Sequence, residues 1–138
     1  MADMNEFNRN VIAEFRANDG KVTGPFAGAP LVLITTTGAK SGQRRTTPLV
    51  YTRDGDRVVI IASKGGAPEH PAWFHNLRAN PEVTVELPGD TFTARAVITE
   101  GDERDRLFRA QADAMPNFDE YAEKTTRTIP VVALERVG

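Results

Sequence analysis

The sequence predicts a mainly β, α+β fold: a small antiparallel barrel of about six strands with flanking helices. Three observations carry this. Six short runs, 31–36, 45–52, 57–62, 82–87, 91–99 and 130–136, are rich in β-branched or alternating residues and bounded by Gly, Pro, Asn and Asp. Helical periodicity is confined to stretches before, between and after them, without the regular strand–helix alternation of a doubly wound sheet. The 138 residues, 40% hydrophobic and 26% charged, suit one domain with a core of its own. The expected organisation is a single domain, 1–138, in which 1–29 form an N-terminal helix and loop.

Each element has a local reason. Phe7, Val11, Ile12 and Phe15 recur at helical spacing over 5–18, and Asn18-Asp19-Gly20 supplies the stop. The Gly and Pro content of 24–30 marks a loop. The apolar run opening 31–36 is continuous, as in a strand buried on both faces, whereas 82–87 alternates with Val83, Val85 and Leu87 on one side. Asp54-Gly55-Asp56 joins 45–52 to 57–62, and Pro88-Gly89-Asp90 joins 82–87 to 91–99. A short helix is expected over 71–80, with Pro71 in its first turn and Pro81 beyond its end. A second covers 102–114 with acidic residues where the helix dipole favours them, and a third runs over 117–125 with Asn117 as its cap. Pro130 opens the last strand.

The net charge of −2 argues against general nucleic-acid binding, and the absence of cysteine excludes disulfides, thiol nucleophiles and Cys-ligated metals. No secretory or spanning apolar run is present, so the expected setting is cytoplasmic, with membrane association left open. Against that acidic background the stretch from Thr35 to Pro48 stands out, because Lys40, Arg44 and Arg45 fall within six residues beside Gly38 and Gly42. Such a loop suits a multiply anionic ligand through main-chain N–H groups and charged forks; it equally suits a hairpin loop that keeps an edge soluble. A Walker A loop is excluded, because Ala39 and Ile34 occupy its glycine positions, and no G-x-G-x-x-G occurs.

A second loop, Ser63-Lys64-Gly65-Gly66, follows the third strand; paired glycines allow close approach to a ligand or a plain connection. Trp73 and Asn76, three apart, share a helix face on which they flank a planar heterocycle or simply pack. His70 and His75 have no carboxylate partner at ligand spacing, so no metal site is expected, and Glu69 is expected to be solvated.

Four ordered segments together, Ile34 to Arg45 with Pro48-Leu49, Ala62 to Gly66, His70 to Leu77, and Ala79 to Val83, resemble the deazaflavin-dependent nitroreductases, also called F-420-dependent quinone reductases. The resemblance spans nearly the whole chain. It implies a split β-barrel of the flavin-reductase type and reduced coenzyme F-420 as hydride donor to a small quinone-like or nitroaromatic acceptor. That coenzyme is a deazaflavin with a ribityl, phospholactyl and oligoglutamate tail. By position, Lys40, Arg44, Arg45 and Lys64 would hold the tail. Pro48, Leu49, Ser63, Gly65 and Gly66 would lie against the ring, with Trp73 and Asn76 lining its cradle. Tyr121 and Ser63 are the candidate proton donors, and Phe118 with Tyr121 the substrate pocket; Phe118 replaces a tyrosine of the nitroreductive members. The resemblance also implies a monomer. The competing readings are a non-catalytic deazaflavin carrier and a barrel holding FMN or haem.

Overall fold

A computed structural model describes residues 4–137. In chain order it contains α1 (Met4–Ala17), β1 (Leu31–Thr37), β2 (Arg44–Val50), β3 (Thr52–Asp54), β4 (Arg57–Ile61), α2 (Ala72–Ala79), β5 (Glu82–Leu87), β6 (Asp90–Ile98), α3 (Gly101–Ala114), α4 (Asn117–Lys124) and β7 (Val131–Arg136). Short 3-10 turns occupy Gly24–Phe26 and Lys64–Gly66.

The strands form one antiparallel sheet in the order β2-β1-β5-β6-β7-β4-β3. Its two outer strands, β2 and β3, are separated in the chain by Tyr51 alone. A one-residue link between opposite edges requires the sheet to curl until they meet, which makes it the wall of a barrel. The expected strand over 45–52 is therefore two strands, and the sheet has seven where six were expected. The break has a local cause: the Tyr51 N–H donates to the Pro30 carbonyl at 3.2 Å, outside the ladder, and the chain turns there from one edge to the other.

Both faces of the sheet are covered. Val32 and Ile34 of β1, Val58 and Ile60 of β4, Val83 and Val85 of β5, and Val132 and Leu134 of β7 fill the interior with Trp73, Phe74 and Leu77 of α2. Leu31 and Leu33 face outward beneath Val11 and Phe15 of α1. Val59, Ile61 and Val131 meet Leu107, Phe108 and Ala112 of α3 and Phe118 of α4. This double coverage is why β1 and β4 read as continuous apolar runs instead of alternating ones. Each side chain so buried contributes about 1.5–3 kcal/mol relative to an exposed one.

Three expected boundaries shift by chemistry rather than by fraying. Pro71 takes the N-cap position of α2, and Pro116 that of α4, without a side-chain cap bond at either. Asn117, expected as a cap, lies inside α4. Pro130 precedes β7 and accepts the Ala62 N–H at 2.9 Å, extending the register one residue beyond the strand.

Candidate functional site

The loop between β1 and β2 is closed on itself. Gly38 N–H donates to Gln43 O at 2.8 Å, Gly42 N–H donates back to Gly38 O at 3.0 Å, and Gln43 N–H meets Ser41 Oγ at 3.2 Å. A Cβ on Gly38 would stand 2.5 Å from that Ser41 oxygen, so a side chain there would displace the Ser41 hydroxyl. From outside, α2 fixes it. Asn76 Oδ1 accepts the Ala39 N–H at 3.0 Å, and Asn80 Nδ2 donates to Thr37 O at 3.4 Å. Asn76 thus acts as a strut for the cationic loop.

Strand alternation separates the cations. Arg45 lies opposite Thr36, and Leu49 opposite Val32, on the inward face. Arg44 lies opposite Thr37 and Pro48 opposite Leu33, on the outward face. The Arg44 guanidinium donates to Thr37 Oγ1 at 3.1 Å and Thr84 Oγ1 at 2.7 Å, beside an outer cavity of about 390 Å³ that Asn80, Glu82 and Arg95 also line. Among the described residues, Lys40, Arg44 and Arg45 have no carboxylate at ion-pair distance. Arg57, Arg109 and Arg136 are each so compensated. Lys64 is compensated too, by Glu69 at 2.8 Å, and that ammonium holds the Glu69 carboxyl below its ordinary range. Glu69, expected to be solvated, is therefore an exposed ion-pair partner.

The Ser63–Gly66 segment carries three successive left-handed residues, with φ of 47° at Lys64, 63° at Gly65 and 85° at Gly66. It is seated on α4: a Cβ on Gly66 would fall 2.8 Å from Tyr121 O and 2.9 Å from Lys124 Cβ. Ser63, Gly66 and Tyr121 are thereby brought together. Tyr121 Oη accepts from Asn117 Nδ2 at 2.8 Å, which leaves its own O–H free to donate. The Phe118 ring stands edge-on to Tyr121 with centroids 5.3 Å apart and is itself 5% exposed. Trp73 is 7% exposed, within the barrel interior. Both rings are backed by core.

The family model for F420H(2)-dependent quinone reductase matches residues 7–136. The chain belongs to that family. An F420H(2)-dependent quinone reductase of Mycobacterium tuberculosis (strain H37Rv) is 42% identical over 128 residues, which cover 90% of this chain and 86% of that protein. A solved F420-H2 dependent reductase, FDR-A, superposes with a TM-score of 0.72 at 42% identity, over 77% of this chain and 94% of that one. A second solved chain, described as a domain-swapped dimer, gives a TM-score of 0.73 at 39% identity over 92% and 93%. The expected oxidoreductase class, F-420 dependence and split-barrel architecture agree with these findings.

Within an F420H(2)-dependent quinone reductase, the donor set fits an anionic coenzyme: cations without carboxylate partners at a braced loop, and a left-handed turn seated against the backbone of the helix that carries Tyr121. Sequence reading missed two polar contributions: the bond from Asn117, expected only as a helix cap, to Tyr121, and Arg127 altogether. The i, i+4 spacing of Asn117 and Tyr121 would have found the first. Among the described residues no His, Asp and Glu cluster could hold a metal ion. His70 instead packs tilted against Phe74, with ring centroids 4.9 Å apart, and bonds Arg127 through Nδ1 at 2.8 Å.

Proposed function

We propose that this protein binds reduced coenzyme F-420 between the Gly38–Gln43 loop and the Ser63–Gly66 turn and reduces a quinone-type acceptor. The observation that carries the reading is the pair Lys40 and Arg45, cations left without carboxylates on a loop braced by Asn76, in a chain of net charge −2. When bound, the reduced deazaflavin supplies the hydride. The protein's own residues bind and orient. Lys40 and Arg45 hold the phosphate and glutamates of the tail, and the charged fork of arginine suits such oxyanions. Leu49 and the backbone of Ser63 to Gly66 form the surface against which the ring lies. Trp73, locked in the interior, keeps that surface rigid and dry. Tyr121, oriented by Asn117, holds a proton at Oη for the acceptor oxygen, with the Ser63 hydroxyl as the second donor. Phe118 offers an aromatic edge and no proton, which favours a quinone over a nitroaromatic acceptor.

No helix among the described residues is long and apolar enough to cross a membrane. A cytoplasmic monomer remains the proposed state, and sedimentation against concentration tests it, a swapped dimer being the contrary result. The primary experiment titrates the protein with F-420 and with FMN, following Trp73 fluorescence, and then supplies a soluble naphthoquinone. Saturable F-420 binding that weakens with salt, followed by quinone-dependent oxidation, is the expected result. Preferential FMN binding refutes the cofactor assignment, and tight F-420 binding without turnover makes the protein a carrier.

A further inference from the structure

Arg127 lies between α4 and β7, far in sequence from the Ser63–Gly66 turn, yet its guanidinium is spent on that turn. Nε donates to Ala67 O at 2.9 Å and one terminal nitrogen donates to Ser63 O at 2.8 Å. The other donates to Ala62 O at 3.2 Å and to His70 Nδ1 at 2.8 Å. All four acceptors are neutral, and three are main-chain carbonyls of one short segment. A trans peptide points its N–H opposite to its C=O. With the Ala62 and Ser63 carbonyls turned to Arg127, the N–H groups of Ser63 and Lys64 point the other way.

The turn's dihedrals complete the pattern. Ser63 is right-handed, with φ −77° and ψ −37°, and Lys64 is left-handed at φ 47°. That succession makes three consecutive N–H groups converge into a concavity suited to an anionic oxygen. The Gly66 and Ala67 N–H groups are used inside the turn, by Ser63 O and Lys64 O. Among the described residues the N–H groups of Ser63, Lys64 and Gly65 have no backbone acceptor outside regular elements. Because the Ala62 and Ser63 carbonyls are bonded to the Arg127 guanidinium, the peptide units of the Ser63 and Lys64 N–H groups are polarised and these two are better donors; the Lys64 carbonyl, in the peptide unit of the Gly65 N–H, is held by the Ala67 N–H.

We infer that Arg127 is a positioning residue, which holds the N–H groups of Ser63, Lys64 and Gly65 as a receptor for an anionic oxygen of the bound cofactor. The inference rests on the reading of this turn as cofactor-facing. A lysine at 127 is a poor substitute: its compact ammonium cannot span acceptors that a planar fork reaches on several sides. Arg127→Lys keeps the charge, but the turn loses its fixed carbonyls.

Two measurements test this together. In ¹⁵N-labelled wild-type protein, saturation with reduced F-420 is expected to move the amide protons of Ser63, Lys64 and Gly65 downfield, as hydrogen bonding to an anion requires. This arm uses no variant, so it stands if Arg127→Lys fails to fold. Arg127→Lys is expected to weaken F-420 binding about tenfold, as loss of charge-assisted bonds does, with the quinone KM unchanged. Unmoved amides in a protein that binds F-420 saturably, or wild-type affinity in folded Arg127→Lys, overturns the inference and leaves the proposed function standing. Absence of any saturable F-420 binding by the wild-type protein overturns both.

Discussion

Gly66 offers the sharpest test of how the site is assembled. Its φ of 85° is in the left-handed region, and an added Cβ would stand 2.8 Å from the Tyr121 carbonyl oxygen, a backbone atom that cannot swing aside. The neighbouring Gly65, at φ 63°, has nothing within 4 Å of the same position. Alanine at either site incurs the left-handed penalty, about 1–2 kcal/mol. At Gly66 it must also part the turn from α4, an overpacking cost of about 1–3 kcal/mol. Gly65→Ala is thus expected to cost about 1–2 kcal/mol and Gly66→Ala about 2–5 kcal/mol. For a chain of this size each kcal/mol shifts the melting temperature by roughly 3 °C, so calorimetry should show losses of about 3–6 °C and about 6–15 °C. Because the parted element carries Tyr121, Gly66→Ala should also lower kcat more than it weakens F-420 binding. Equal melting shifts for the two variants would refute the seating of the turn on α4.

Charge reversal separates the cations by face: Lys40→Glu and Arg45→Glu are expected to weaken F-420 binding at least about tenfold at low salt, with the difference from wild type shrinking as salt rises. Arg44→Glu, on the outward face, should have a smaller effect, and titration at two ionic strengths checks the order. Tyr121→Phe keeps the ring and loses the proton, so steady-state kinetics should show a fall of about 10²-fold in kcat with cofactor affinity preserved; an unchanged kcat makes Tyr121 a packing residue. His70 is held below the ordinary imidazole value of 6.5 by burial first, then by the charges of Arg127, His75 and Arg78. The unfolded chain therefore takes up a proton at a higher pH than the folded one does, so stability is full above 6.5 and declines as pH falls from there toward the folded value. Denaturant melts from pH 8 to 5 should show this decline, and His70→Asn, which keeps an acceptor and cannot titrate, should flatten it.

Much of the frame was legible because local patterns and tertiary coverage agree. Val83, Val85 and Leu87 alternate because only one face of β5 is interior, and Leu31 to Ile34 are continuous because α1 covers the other face of β1. The division at Tyr51 was not legible: it depends on a bond to Pro30, and nothing in Leu49-Val50-Tyr51-Thr52 marks a boundary. Lys40, Arg44 and Arg45 stood out as a cluster by count, but strand alternation sends Arg44 and Arg45 to opposite faces. Asn76 was visible as a polar residue on a helix, while its partner, Ala39 N–H, is 37 residues away. Arg127 gave no local signal, since every acceptor it serves lies 57 to 65 residues earlier.

The sheet order has a consequence for how the chain is made. β7 follows the other six described strands in chain order, yet it sits between β6 and β4, and Val131 to Leu134 are fully buried. Until it arrives, the β3–β4 hairpin has no neighbour on its open side, and β6 presents a second open edge. Two bare edges are a template for any strand nearby. A chain that lacks β7 would therefore be most exposed to aggregation, and two chains that carry it hold the parts to finish each other by exchanging β7. A shortened C-terminus should be far less tolerated than a shortened α1, which covers the wall without being built into it.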